Sequence, residues 1–181
     1  STLTSNKINW DEVVRVSTQH LVFTALYCNL KREKLLNYIP KELVIYMEEI
    51  YSINKDRNQK IIFQVKELNK ILLSNKINAI FLKGAGNLLE GLYQDISERM
   101  VGDIDLICSI NDHQKALKVL YENGYRKFDK DNYRYDDDKI TVSDHICDSL
   151  DVISCHFYDA CNCFSTRLTK KSAGSIPSLS A

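Results

Sequence analysis

The sequence predicts an α+β fold, a small mixed sheet flanked by helices behind an N-terminal helical region, and three observations carry it. Apolar residues recur at helical spacing as far as Asn75. Beyond Lys76 short apolar runs alternate with helical ones. One such run, RMVGDIDLICSI at 99–110, holds two aspartates one residue apart.

Residues 9–29 (NWDEVVRVSTQHLVFTALYCN) place Trp10, Val13, Val14, Leu21, Phe23 and Leu26 at broadly helical spacing. His20 lies on this helix with no second metal-binding residue a turn away, so it reads as a packed or surface histidine. Pro40 punctuates the chain and a long helical stretch follows over 41–75. Polar residues at 54–58 interrupt its apolar stripe and predict a break there. Ile61, Ile62, Val65, Leu68, Ile71 and Leu72 then resume the stripe.

NAIFL (78–82) reads as a buried strand that ends in a turn at Lys83-Gly84. LLEGLY (88–93) fits a short helix, and 101–110 is a strand. NDHQKALKVLYENG (111–124) is a helix: Asn111 or Asp112 can cap its start, Ala116, Leu117, Val119 and Leu120 form its apolar side, and Gly124 can close it. Further strands are expected at 125–128, 132–135, 139–142 and 150–154. The tail is Ser-rich and poor in apolar residues. These readings divide the chain into a helical region (1–76), an α/β core (77–164) and a loose tail (165–181).

Composition narrows the function classes. The chain has 181 residues, of which 44% are hydrophobic, enough for a true core. Its formal net charge is zero, which argues against nucleic-acid binding through bulk positive charge. The balance hides an asymmetry: residues 1–83 hold 13 Lys/Arg and 8 Asp/Glu (+5), while 84–181 hold 11 and 16 (−5). The acidic half carries the aspartate pair and suits a cation. The start shows no charged segment followed by an apolar run, and no apolar run approaches a membrane span, so a cytoplasmic protein without a membrane partner is expected. Cys28 and Cys108 read as small core residues; Cys147, Cys155, Cys161 and Cys163 crowd the C-terminal part with His145 and His156. Their spacing does not repeat the paired units of structural zinc sites, and free thiols are the expectation.

Strand alternation sends Asp103 and Asp105 to one face and Ile104 and Leu106 to the other. The two carboxylates then stand about 6–7 Å apart along the strand. At that distance they repel each other and resist burial unless a cation joins them. A D-x-D alone also fits the solvent face of an amphipathic strand. Its neighbours favour chemistry: Lys83 offers a point charge for phosphate, Gly84 allows close backbone approach, and Arg99 offers a forked contact.

The run FLKGAGNLLEGLYQDISERMVGDIDLIC resembles the core of a nucleotidyltransferase-like family, a subgroup of the DNA polymerase β-like superfamily with an L-K-G … R-x-x-x-D-I-D-L pattern. The upstream NWDEVVRVSTQHLVFTALYCNL is similar to that family's helical lead-in. The resemblance implies a nucleotidyltransferase-like fold, with one or two Mg²⁺ ions held by Asp103 and Asp105 and a third carboxylate on a later strand. Asp151, in the alternating run SLDVIS, is the best match for the third carboxylate, with Asp144 and Asp148 as runners-up. Where the wider superfamily has Gly-Ser after its first strand, this chain has Lys83-Gly84.

The function implied is Mg²⁺-dependent transfer of a nucleoside monophosphate from an NTP to a hydroxyl. The acceptor stays open among a small molecule, an RNA end and a protein side chain. Lys83, Gly84 and Arg99 would bind the nucleotide; Asp103, Asp105 and Asp151 would bind metal and act in catalysis. Two other classes stand beside it: a catalytically inactive nucleotide-binding module, and an antitoxin-type protein that modifies or docks a partner through its helical region.

Overall fold

The structure, a computed structural model, describes residues 8–127, 141–147 and 150–156, with side chains as far as Tyr125. The chain is α+β, as expected. It divides into two compact units, Ser1–Gln64 with Gly86–Val101, and Val65–Ala85 with Gly102–Ala181. The boundaries expected from the sequence lie at 76/77 and 164/165; the compact units divide within a helix, and the segment 86–101 groups with the first unit. The expected tail, 165–181, lies outside the described residues. Among the described residues no helix is long and apolar enough to cross a membrane.

In the first unit, α1 (Trp10–Gln19) starts where the Asn9 side chain accepts from the Glu12 N–H at 3.2 Å, with Asp11 and Glu12 in its first turn. Helical spacing over 9–29 is interrupted at Leu21, whose φ of 56° is left-handed, and α2 (Phe23–Arg32) begins afresh. Phe23 and Tyr27 on α2 are buried, in ring contact with Tyr46 (5.6 Å) and Tyr51 (5.2 Å). The latter two belong to α3 (Lys41–Ser74), which Pro40 introduces.

Helix α3 runs through 54–58 without a break, contrary to the sequence expectation. The polar residues there are not a solvent interruption: Asn54, Arg57 and Asn58 are buried. The Asn54 and Asn58 amides donate to backbone carbonyls of the segment 96–99, which takes the place an apolar partner would otherwise fill. Asp95 anchors the same segment. Its carboxylate accepts from the Ser97 N–H (2.9 Å) and the Tyr51 hydroxyl (2.8 Å), and Arg32 pairs with Glu98.

In the second unit, α3 is followed by Lys76, left-handed at φ 60°, and the Ile77 N–H closes back on the Leu72 carbonyl at 3.0 Å. The strand β1 (Ile80–Leu82) leads directly into α4 (Lys83–Leu89). The sequence placed a turn at 83–84 and a helix at 88–93; the helix instead starts at Lys83. Next come β2 (Asp103–Ile107), α5 (Ile110–Glu122), β3 (Arg126–Lys127), β4 (Thr141–Cys147) and β5 (Leu150–His156). Helix α5 begins one residue before the expected range, after Ser109, and Gly124 at φ 91° follows its end. The strand expected at 132–135 lies outside the described residues.

The sheet order is β1-β2-β5-β4-β3. Every neighbouring pair is antiparallel except β3 with β4, so the sheet is mixed. Ile104 and Leu106 on β2 are fully buried, as are Leu68, Leu72, Ile77, Ala116 and Leu120 of the same unit.

Two outcomes follow. Lys76→Gly should raise the unfolding free energy by roughly 0.5–1 kcal/mol, seen as a higher urea midpoint, because glycine takes the left-handed cap without Cβ strain. Asp95 gives a pH test. Burial raises its carboxyl, but the Ser97 N–H, the Tyr51 hydroxyl and the Lys55 ammonium outweigh that and hold it below the ordinary value. Its contribution is therefore complete above the unfolded carboxylate range and is lost as pH falls through the lowered folded value. Urea unfolding between about pH 5 and 2 should show a shallower acid loss in Asp95→Asn than in the wild type.

Candidate active site

The site rests on β2. Its five residues read DIDLI, and the alternation expected from the sequence holds: Ile104 and Leu106 are wholly buried, and Asp103 and Asp105 alternate with them. Asp103 is half-buried, while the Asp105 side chain is only 2% exposed. A carboxylate so placed needs a counter-charge, and the structure supplies one.

Register explains how. On the β1–β2 ladder Leu82 stands opposite Asp105, so the next residue, Lys83, leaves the strand beside the carboxylate. Its Nζ lies 2.7 Å from Asp105 Oδ2, while the lysine side chain stays 70% exposed. The bond to Asp105 raises the lysine pKa; desolvation opposes this, and the Asp105 and Asp103 charges reinforce it. Lys83 also holds a φ of 51° at the strand-to-helix junction, a conformation that costs an L-residue about 1–2 kcal/mol. Strain and ion pair thus meet in one residue. Gly84, buried next to it, is not left-handed; among the described residues the left-handed glycines are Gly91 and Gly124. The unusual backbone at this junction belongs to the lysine.

Arg99 belongs to the first unit. Its carbonyl accepts from Asn54 Nδ2 (3.1 Å) and Asn58 Nδ2 (2.7 Å), and its side chain is exposed.

Asp151 lies on β5, the strand that pairs with β2. The ladder puts Ser154 opposite Asp105 and His156 opposite Asp103. Asp151 is three positions beyond Ser154, about 10 Å along the strand, and belongs to the same alternating set as Ile153 and Cys155, whose partners are Leu106 and Ile104. Asp144 on β4 stands opposite Ile153 and falls in the same alternating set. Asp148 lies outside the described residues. The structure thus brings together Lys83, Asp103 and Asp105; the register leaves Asp151 and Asp144 out of step with them.

Two oxygen-donor carboxylates on one strand, the deeper one already holding an ammonium, fit a hard divalent cation such as Mg²⁺. Among the described residues no group of three or more metal-binding side chains gathers at one point. The positions that sequence reasoning missed are 154 and 156. Their only signal was the S-x-H spacing, which mirrors D-x-D in period but means nothing until the register is known.

A family model described as an uncharacterised nucleotidyltransferase matches residues 6–169. The chain belongs to this nucleotidyltransferase family. The match spans both units, so the helical first unit is part of what defines a nucleotidyltransferase of this family. No curated protein and no solved structure matches the chain.

The ion pair of this nucleotidyltransferase is asymmetric, and mutation should expose that. Lys83→Met removes the ammonium that stands 2.7 Å from a buried carboxylate and should cost about 1–2 kcal/mol, less than loss from a fully buried pair would because the lysine is solvent-exposed. Asp105→Asn removes the buried charge and leaves a hydrated lysine, so its cost should be smaller. Thermal unfolding of the two variants side by side checks the order.

Proposed function

We propose that this nucleotidyltransferase moves a nucleoside monophosphate from an NTP to a hydroxyl acceptor, with Mg²⁺ held by Asp103 and Asp105. The observation that carries the reading is the buried Asp105 carboxylate, paired with Asp103 on one strand and neutralised by a lysine ammonium at 2.7 Å. Such a site is built to hold positive charge. Bound Mg²⁺ would supply charge neutralisation for the triphosphate and a lower pKa for the attacking hydroxyl.

The chain's own groups do the rest. Lys83, 70% exposed and on a flexible stem, would give up Asp105 when the cation enters and turn its ammonium to the phosphates. Gly84 would let the backbone approach them, and Arg99 would supply a forked contact. The acceptor oxygen attacks the α-phosphorus, the bond to the bridging oxygen breaks, and pyrophosphate leaves. Asp151 is the carboxylate proposed to take the acceptor's proton or complete the metal site. A cytoplasmic setting, where NTP and Mg²⁺ are abundant, suits this chemistry.

One observation favours a second reading, nucleotide binding without transfer: the register places Asp151 three positions out of step with Asp105. The two readings separate cleanly in experiment. Titration of Mg²⁺ with a non-hydrolysable NTP should show binding that falls at least tenfold in Asp103→Asn and in Asp105→Asn; undiminished affinity in both overturns the metal assignment. Lys83→Met should bind Mg²⁺ alone more tightly and the triphosphate more weakly, because the lysine competes with the first and attracts the second. Pyrophosphate release from an NTP then decides between transfer and binding. Release by the wild type that is abolished in Asp151→Asn supports the first reading, and no release with any nucleotide supports the second.

A further inference from the structure

The register of the sheet extends the row begun by the two aspartates of β2. Residues directly opposite each other on adjacent strands share a face of the sheet, with Cβ atoms about 4.5–5.5 Å apart. Across from Asp103 the ladder sets His156 on β5, and across from His156 it sets Thr141 on β4. The neighbouring row of that face runs from Asp105 through Ser154 to Ser143. From β2 to β4 both rows are polar. The other face differs: Ile104, Cys155 and Val142 form one of its rows, and Leu106 and Ile153 lead to Asp144 in the next. All of these residues belong to the second unit.

Polar rows of this kind could serve solvation alone, but these begin on a carboxylate that is 2% exposed and holds an ammonium at 2.7 Å. The lysine bonds Asp105, while the histidine stands at the position opposite Asp103. His156 is also the one residue of the two rows, besides the aspartates, whose type is a strong ligand for a divalent ion; serine and threonine hydroxyls are weak ones. An ion bound at about 2 Å from each donor can join two residues at the cross-strand separation. Two carboxylates and one imidazole make a different donor set from three carboxylates. Nitrogen adds affinity for first-row transition ions and little for Mg²⁺.

We propose that His156, paired in register with Asp103, is the third ligand of the metal held by Asp103 and Asp105, and that the site therefore binds Mn²⁺ more tightly than Mg²⁺. This rests on the reading of the two aspartates as metal ligands. It gives His156 the place in the metal site that Asp151, on the other alternating set of β5, would otherwise take.

Mn²⁺ titrated into the 181-residue chain and followed by electron paramagnetic resonance tests it. The spin-echo spectrum of the bound ion should carry the coupling of one directly bound imidazole nitrogen. His156→Gln should lose that coupling and bind Mn²⁺ about tenfold more weakly, with Mg²⁺ affinity changed far less. His145→Gln, on β4 opposite Val152, should keep the coupling. Asp103→Asn and Asp105→Asn should each lower Mn²⁺ affinity by about tenfold or more. Wild-type Mn²⁺ bound without nitrogen coupling overturns the proposal, a result that needs no variant to fold. A coupling that survives in His156→Gln overturns it equally. If Mn²⁺ affinity is undiminished in both aspartate variants, the failure lies in the metal reading beneath, and the inference falls with it.

Discussion

The second unit is organised around a carboxylate that has been taken out of water. Asp105 sits between two fully buried residues of β2, and its side chain is almost wholly enclosed. Enclosure on that scale disfavours the charged form unless a cation stands close by. The rest of the local structure answers this need. Strand β1 sets Leu82 opposite Asp105, the chain turns immediately afterwards, and the turn accepts a strained lysine backbone because that conformation delivers the ammonium.

The first unit solves a different problem with neutral groups. The segment 95–99 brings carbonyls into the interior without a strand or helix to satisfy them, and side chains of α3 take over the task. Tyr51, Asn54 and Asn58 recur at intervals of three and four, so one helical face reads the segment from end to end. Lys31 and Lys55 lie against the Tyr51 ring at 5.3 and 5.5 Å, which adds positive charge close to Asp95. One unit is therefore arranged around an ion pair and the other around amide donors, and the family match spans both.

Much of this was legible in the sequence where it depended on period alone. The D-x-D strand, the apolar side of α5 and the glycine after it were read from spacing, and each follows from the period of its element. The continuity of α3 was not legible. Asn54, Arg57 and Asn58 look like a solvent-facing break until their partners at 96–99 are known, and those partners lie some forty residues away. The junction at Lys83 was half legible: the residue was singled out for its charge, but a left-handed lysine opening a helix runs against propensity, so a turn was expected there. Strand neighbours of β2 were anticipated in kind and missed in register. A run such as LDVISCH offers Asp151 and Ser154 on opposite alternating sets, and only the ladder says which set stands across from Asp105.

The left-handed positions carry one more consequence. Among the described residues four non-glycines adopt positive φ, and three of them are lysines: Lys34, Lys76 and Lys83. The chain has only six glycines in 181 residues, so its element ends are made largely without the residue best suited to them. A lysine in that conformation is strained when folded, yet its unfolded backbone explores less space than glycine's and surrenders less entropy on ordering. The stability of these junctions therefore resides partly in the denatured ensemble, as freedom the chain never had.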